Sequence, residues 1–186
     1  MFVVVYDACV LYPASLRDLL VRLAMTGLFQ AKWTDQILDE CFDNIVANRP
    51  DLKIESLART RQLMNRAVPD AIVTGYDSLI AGLDLPDEED RHVLAAAIRC
   101  GAQVIVTSNM KHFPEPILAA YDIEAQDPDT FVLHVLSLSA DVVASTVIAQ
   151  AATMRNPPHS PLQLVELLRK RGLITAADRL RELLSQ

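Results

Sequence analysis

The sequence predicts an α/β fold, a parallel sheet flanked by helices on both faces, with a small helical appendage at the C-terminus. Three observations predict it. The runs Phe2–Tyr6 and Gln103–Thr107 are short, apolar and rich in β-branched residues, the pattern of strands buried on both faces. Segments with apolar residues at helical spacing separate the strand-like runs, and such alternation needs crossovers that make the strands parallel. From about Ala140 the pattern turns all-helical, broken only by Pro157, Pro158 and Pro161.

Taken in order, Phe2–Tyr6 is the first strand. Ser15 is a fitting N-cap for a helix through about Met25, with Leu16, Leu19, Leu20 and Leu23 on one face and Gly27 beyond its end. Phe29–Trp33 reads as a second strand. Thr34 caps a helix carrying Ile37, Leu38, Cys41, Phe42 and Ile45, and a charged helix follows from Asp51 to Ala67, closed by Pro69. Ala71–Thr74 reads as a third strand. Pro86-Asp87-Glu88-Glu89-Asp90 opens a helix to Cys100, which Gly101 stops. The strand 103–107 comes next, then a helix from Pro114 to Tyr121, a short strand at Ile123-Glu124-Ala125, and a helix capped by Asp127 with Pro128 at its first position. Two short amphipathic helices flank Gly172. The chain thus divides into residues 1–138 and a helical extension, residues 139–186.

The chain has 186 residues, 51% hydrophobic and 22% charged, enough for a core that needs no disulfide or structural metal. Cys9, Cys41 and Cys100 are scattered and odd in number, so they read as small core side chains and not as a zinc site. No apolar run approaches the ~18 residues of a membrane span, and Asp7 interrupts the first run at once, so a soluble, cytoplasmic protein with no membrane partner is expected. A net charge of −7 argues against a generic nucleic-acid coat. The charge is uneven, however. Residues 155–186 hold 6 Lys/Arg and 3 Asp/Glu, a net +3, and residues 49–66 are also +3. Two basic patches about an acidic centre are what a metal nuclease needs to hold phosphates; the plainer reading is two solvated helix faces.

In an open parallel sheet the functional crevice lies beyond the carboxyl ends of the strands. Asp7 follows the first strand, Thr107-Ser108-Asn109 follows the strand 103–107, and Asp87 and Asp90 lie where the preceding helix begins. Asp87 has a sufficient structural role as a helix cap. Asp7 has none, because a lone carboxylate at the end of a buried strand costs several kcal/mol unless it is paired or binds a cation. Asp39 and Glu40 flank the apolar stripe of their helix on opposite sides, and spacing does not choose between them; Asp35 and Asp43 lie nearer solvent. Carboxylates without a Cys/His set point to a hard cation, Mg²⁺ or Mn²⁺. The four histidines show no catalytic spacing and read as fillers, with His112 alone near the rim.

Val4-Val5-Tyr6-Asp7-Ala8, Asp39-Glu40, Leu85-Pro86-Asp87-Glu88-Glu89-Asp90-Arg91-His92 and Val104-Ile105-Val106-Thr107-Ser108-Asn109 with Phe113-Pro114 resemble a PIN domain. The resemblance covers residues 1–136, and the tail resembles the helical extension of one subgroup of VapC-like toxins. It implies a PIN-like, Rossmann-like sheet and hydrolysis of RNA with Mg²⁺ or Mn²⁺. It places the metal-binding, catalytic acids on Asp7, Glu40 and Asp90, choosing Glu40 over Asp39. The next motif position, often Asp, is Asn109, an amide that supplies a carbonyl but no charge. Thr107 is implied as the hydroxyl that orients an acidic ligand, with Asp87 as a further supporting residue. Arg59, Arg61 and Arg66 are the candidates for RNA contact. The resemblance also implies a small antitoxin partner and leaves a homodimer open.

Two rivals remain at this level. A phosphoaspartyl enzyme with Asp7 as nucleophile would want a second acid two residues later, and that position is Cys9. A degenerate PIN module would bind RNA or protein without cleaving, a reading that the Asn109 substitution sustains.

Overall fold

The computed structural model describes residues 1–185. Four strands, β1 (Val3–Tyr6), β2 (Gln30–Lys32), β3 (Val104–Val106) and β4 (Glu124–Gln126), form one sheet in the order β2-β1-β3-β4. Every pairing is parallel, with Val4 opposite both Ala31 and Val104, and Val104 opposite Glu124. Val4, Val5 and Tyr6 alternate between the faces of β1 yet all are buried, so both faces of the sheet are covered. The chain leaves β1 towards β2 on one side and later returns to add β3 on the other. The carboxyl ends of β1 and β3 therefore flank the switch point at which such sheets bind ligands.

The helices are α1 (Ala8–Leu11), α2 (Ala14–Ala24), α3 (Asp35–Asn48), α4 (Ile54–Ala67), α5 (Asp77–Ile80), α6 (Arg91–Cys100), α7 (Glu115–Leu118), α8 (Pro128–Leu138), α9 (Ala140–Thr153), α10 (Pro161–Arg169) and α11 (Ile174–Leu184). Thr34 Oγ1 accepts from Ile37 N at 3.0 Å and Asp127 Oδ1 accepts from Thr130 N at 2.8 Å, so α3 and α8 begin where their capping residues predict. Gly101, at φ 65°, ends α6 in the left-handed conformation that glycine reaches without penalty.

Four expectations need correction. Pro13 stands at the N-cap of α2, and Ser15 lies inside its first turn. Ala71–Thr74 is no strand: Trp33 and Ile72 form a single bridge, and the chain turns away at Gly75, φ 73°. The helix from Pro114 lasts only to Leu118, followed by a 3-10 turn over 119–121. The helix expected from Pro86 starts as a 3-10 turn over Glu88–Asp90 and becomes α-helical at Arg91.

One hydrophobic core runs through sheet and helices. At its centre Tyr6 stacks on Trp33 with 6.3 Å between ring centroids and meets the edge of Phe131 at 6.0 Å, tying β1 to α8. The Tyr6 hydroxyl donates to Leu20 O of α2 at 3.1 Å, which satisfies the buried phenol. The C-terminal helices extend this core. The chain bends by 119° between α8 and α9. Val143 and Val147 of α9 are buried, and Gln150 Nε2 donates to Ser15 O at 2.9 Å. Asp129 of α8 accepts from Thr175 N and Ala176 N at 2.9 and 2.8 Å, so it holds the start of α11. Among the described residues no single helix is long and apolar enough to cross a membrane.

Candidate metal centre

The site begins where β1 stops. Asp7 N donates to Val106 O at 3.1 Å, which carries the β1–β3 ladder one residue further and fixes the Asp7 backbone against β3. The side chain then caps α1, Oδ1 accepting from Ala8 N at 2.7 Å. Oδ2 accepts from the Thr107 hydroxyl at 2.7 Å and from Cys9 Sγ at 3.1 Å. Asp7 is only 2% exposed. Thr107, having donated its proton, accepts from Asn109 N at 3.0 Å, and Ser108 N donates to Cys9 Sγ at 3.2 Å. Cys9 is thus no core filler; its sulfur links the Asp7 carboxylate to the loop after β3. Burial, and then the Asp7 charge, push its thiol up to about 12, so it remains a protonated donor.

The second half of the site comes from the start of α6. Asp87 Oδ1 accepts from Glu89 N at 3.0 Å, capping the 3-10 turn Glu88–Asp90 and turning Asp90 inwards, where it is 7% exposed. His112 Nδ1 lies 2.7 Å from Asp90 Oδ2 and 3.6 Å from Asp87 Oδ2. Burial raises the Asp90 carboxyl above the usual carboxylate range; the charges of Asp7 and Asp87 add to the rise, and the bond to His112 opposes it. The charges of Asp7 and of the partly exposed Asp87 thus both bear on, and repel, that of the buried Asp90. Among the described residues no Lys or Arg forms an ion pair with any of the three. A divalent cation relieves that repulsion, and ligand atoms of Asp87, Asp90 and His112 lie within 4.8 Å of one another, close enough to share an ion.

The remaining candidates fall into four groups. Glu40 is half exposed on α3, and its Oε2 lies 3.5 Å from Nε2 of His92, a residue of α6 that is 4% exposed. Asp39 turns the other way. It and Asp35 both hold Arg61, clamping α3 to α4. Arg61, a candidate for RNA contact, thus stands in an interhelical ion pair with two carboxylates. Arg59 and Arg66 are exposed, with no carboxylate partner among the described residues. Asn109 is half-buried in the loop, and its carbonyl accepts from His112 N at 2.8 Å, shaping the 3-10 turn that presents the imidazole.

Sequence reading missed both histidines. The partner of His112 lies 22 residues earlier and that of His92 lies 52 residues earlier, so neither pairing leaves a local pattern. The only cue was the place of His112 in the loop after a strand that ends beside Asp7.

Two family models match the chain. A PIN domain matches residues 3–111, and a VapC50 C-terminal domain matches residues 128–182. The chain is 41% identical over 98 residues to a protein of Mycobacterium tuberculosis (strain ATCC 25618 / H37Rv) named "Putative ribonuclease VapC50", a stretch covering 53% of this chain and 57% of that relative. The matched stretch thus spans little more than half the length of the relative. No solved structure matches the chain.

Proposed function

The chain belongs to the PIN-domain family, and on that premise we propose that it is a ribonuclease that hydrolyses RNA phosphodiester bonds with a divalent cation, Mg²⁺ or Mn²⁺, at the crevice between β1 and β3. The observation that carries the reading is the meeting of Asp7 and Asp90, two buried carboxylates without a Lys or Arg partner among the described residues, at the switch point of the sheet. In this reading Asp7 and Asp90 hold the cation and Glu40 joins them from α3. Thr107 orients Asp7 by its hydrogen bond, as supporting residues around metal ligands do, and Asp87 shapes the turn that aims Asp90. Asn109 offers its amide carbonyl without adding charge. When bound, the cation activates water and neutralises a phosphodiester oxygen.

The name of the relative supports a ribonuclease, and the match to a VapC50 C-terminal domain supports a toxin with a small antitoxin as partner. The three free cysteines suit a reducing, cytoplasmic setting. The exposed Arg59 and Arg66 of α4 are assigned to RNA phosphates. Replacement of Asp7 by Asn tests the whole reading: it removes one charge and keeps the shape. Lost cleavage and lost Mn²⁺-induced thermal stabilisation are expected, with an unchanged circular dichroism spectrum. Full cleavage by D7N would overturn the reading.

A further inference from the structure

We propose that His112 is itself a ligand of the divalent cation, so that the centre is a mixed nitrogen–oxygen site that takes Mn²⁺ in preference to Mg²⁺. This rests on the reading of the crevice as a metal centre and goes one step further, to the ion it selects.

The imidazole does not reach the crevice by accident of surface packing. Thr107 Oγ1 accepts from Asn109 N at 3.0 Å, Asn109 O accepts from His112 N at 2.8 Å, and the 3-10 turn Met110–His112 folds the ring back over the acids. Nδ1 then stands 2.7 Å from Asp90 Oδ2 and 3.6 Å from Asp87 Oδ2. Two donors at right angles around an ion ~2.1 Å away are about 3 Å apart, so these separations bracket the edge of a coordination polyhedron.

A second observation is independent of the ring. Asp90 is more than nine-tenths buried, yet its other oxygen, Oδ1, accepts from no donor among the described residues and keeps some accessible surface. A desolvated carboxylate normally fills its lone pairs. With one oxygen bonded to an imidazole and the other still accessible, Asp90 has a lone pair free for a cation, and the charges of Asp7 and Asp87 act on the same carboxylate. An ion pair built only for stability would use the fixed charge and forked donors of arginine. Among the described residues the only basic side chain on these acids is an imidazole, whose lone pair suits a metal.

The donor set then decides the ion. Mg²⁺ prefers oxygen in near-ideal octahedral geometry and keeps several waters, whereas first-row ions accept imidazole nitrogen readily. Asn109 brings no negative charge, so the nitrogen of His112 completes the set. The ring ligates through the Nδ1 lone pair with its proton on Nε2, so the ion takes the place of the hydrogen bond between Nδ1 and Asp90 Oδ2.

The test is pulsed electron paramagnetic resonance of Mn²⁺ added to the metal-free full-length chain, with Mg²⁺ competition on the same samples. The expected result is one bound Mn²⁺ with a nitrogen hyperfine coupling. That coupling should be lost in H112D and H112N, and Mg²⁺ should displace Mn²⁺ more readily from H112D than from the unaltered chain. Tight Mn²⁺ binding without a nitrogen coupling would overturn the proposal and leave an all-oxygen metal centre standing. A coupling that persists in H112D would also overturn it, since the nitrogen would then belong to another residue, His92 being nearest to Glu40. Failure of Mn²⁺ to bind at all would overturn the metal centre itself.

Discussion

Thr107 and Asp7, 100 residues apart in the chain, are joined by a 2.7 Å hydrogen bond from the threonine hydroxyl to the aspartate Oδ2. With the bonds from Ala8 N and Cys9 Sγ it sets the orientation of a buried carboxylate, and it closes the loop after β3, since the same hydroxyl oxygen accepts from Asn109 N. Replacing Thr107 with Val keeps the shape and removes both bonds. A stability loss of roughly 1–3 kcal/mol is expected from the stranded polar groups, with Mn²⁺ affinity lowered about 10–100-fold. Thr107→Ser should restore most of both. Urea unfolding and calorimetric titration measure them, and a T107V protein with undiminished metal affinity would remove Thr107 from the site.

Glu40 and Asp39 are neighbours with separate expected roles. Glu40→Gln should lower RNA cleavage at least tenfold, an estimate set by lost charge at a proposed metal ligand, with little change in melting temperature. Asp39→Ala should leave cleavage near normal and cost under ~1 kcal/mol, the usual worth of an exposed ion pair. Comparable cleavage losses in the two variants would show that the clamp with Arg61 also governs the site.

Arg59 and Arg66 should act on RNA through charge alone. Binding to D7N protein in Ca²⁺, followed across salt concentrations, should give a log–log slope flatter by about 1.4 in the double Ala variant, two phosphate contacts at roughly −0.7 each. Arg61→Ala should leave the slope unchanged because its charge is already neutralised within the protein.

Cys9, Cys41 and Cys100 all have thiols raised by burial, Cys9 to about 12 and Cys41 to about 11. A raised thiol pKa keeps the thiolate scarce at neutral and mildly alkaline pH, and only the thiolate is alkylated. Iodoacetamide labelling of the folded protein should therefore be slow at all three, rising to the rate of an ordinary cysteine in denaturant. Rapid labelling of folded Cys9 would mean that its contact with Asp7 opens readily.

Asp129 holds the first turn of α11 by two backbone bonds. Asp129→Ala should destabilise the protein by ~1 kcal/mol, the common cost of a lost helix cap. The C-terminal helices should become the first segment to exchange amide hydrogens. Uniform loss of protection across the chain would show that this layer unfolds only with the sheet.

The parts of this molecule that sequence revealed are those governed by neighbours in the chain. β1 and β3 are continuous apolar runs, and Thr34, Asp127 and Gly101 mark helix ends by their own side chains or backbone freedom. Asp7 stood out as a carboxylate ending a buried strand, while its local role, capping the four-residue α1, left no pattern in the sequence. Ser15 misled because a residue suited to capping does not cap when the preceding Pro13 already starts the helix. α1 and α5, four residues each, are too short to show a period. Arg61, His92 and His112 gain their meaning from partners on other elements, which neither composition nor spacing reveals.

The placement of β3 beside β1 also has a temporal side. Asp7 is made some hundred residues ahead of its neighbour across the ladder and its threonine donor. Pairings so distant in sequence form slowly, since the intervening chain must be closed into a loop first. A growing chain therefore carries its first acid long before Asp90, Thr107 and His112 exist to surround it. The crevice forms only once β3 and the loop beyond it have been synthesised and have docked, so Asp7 stands without its surrounding residues while the chain between them is made.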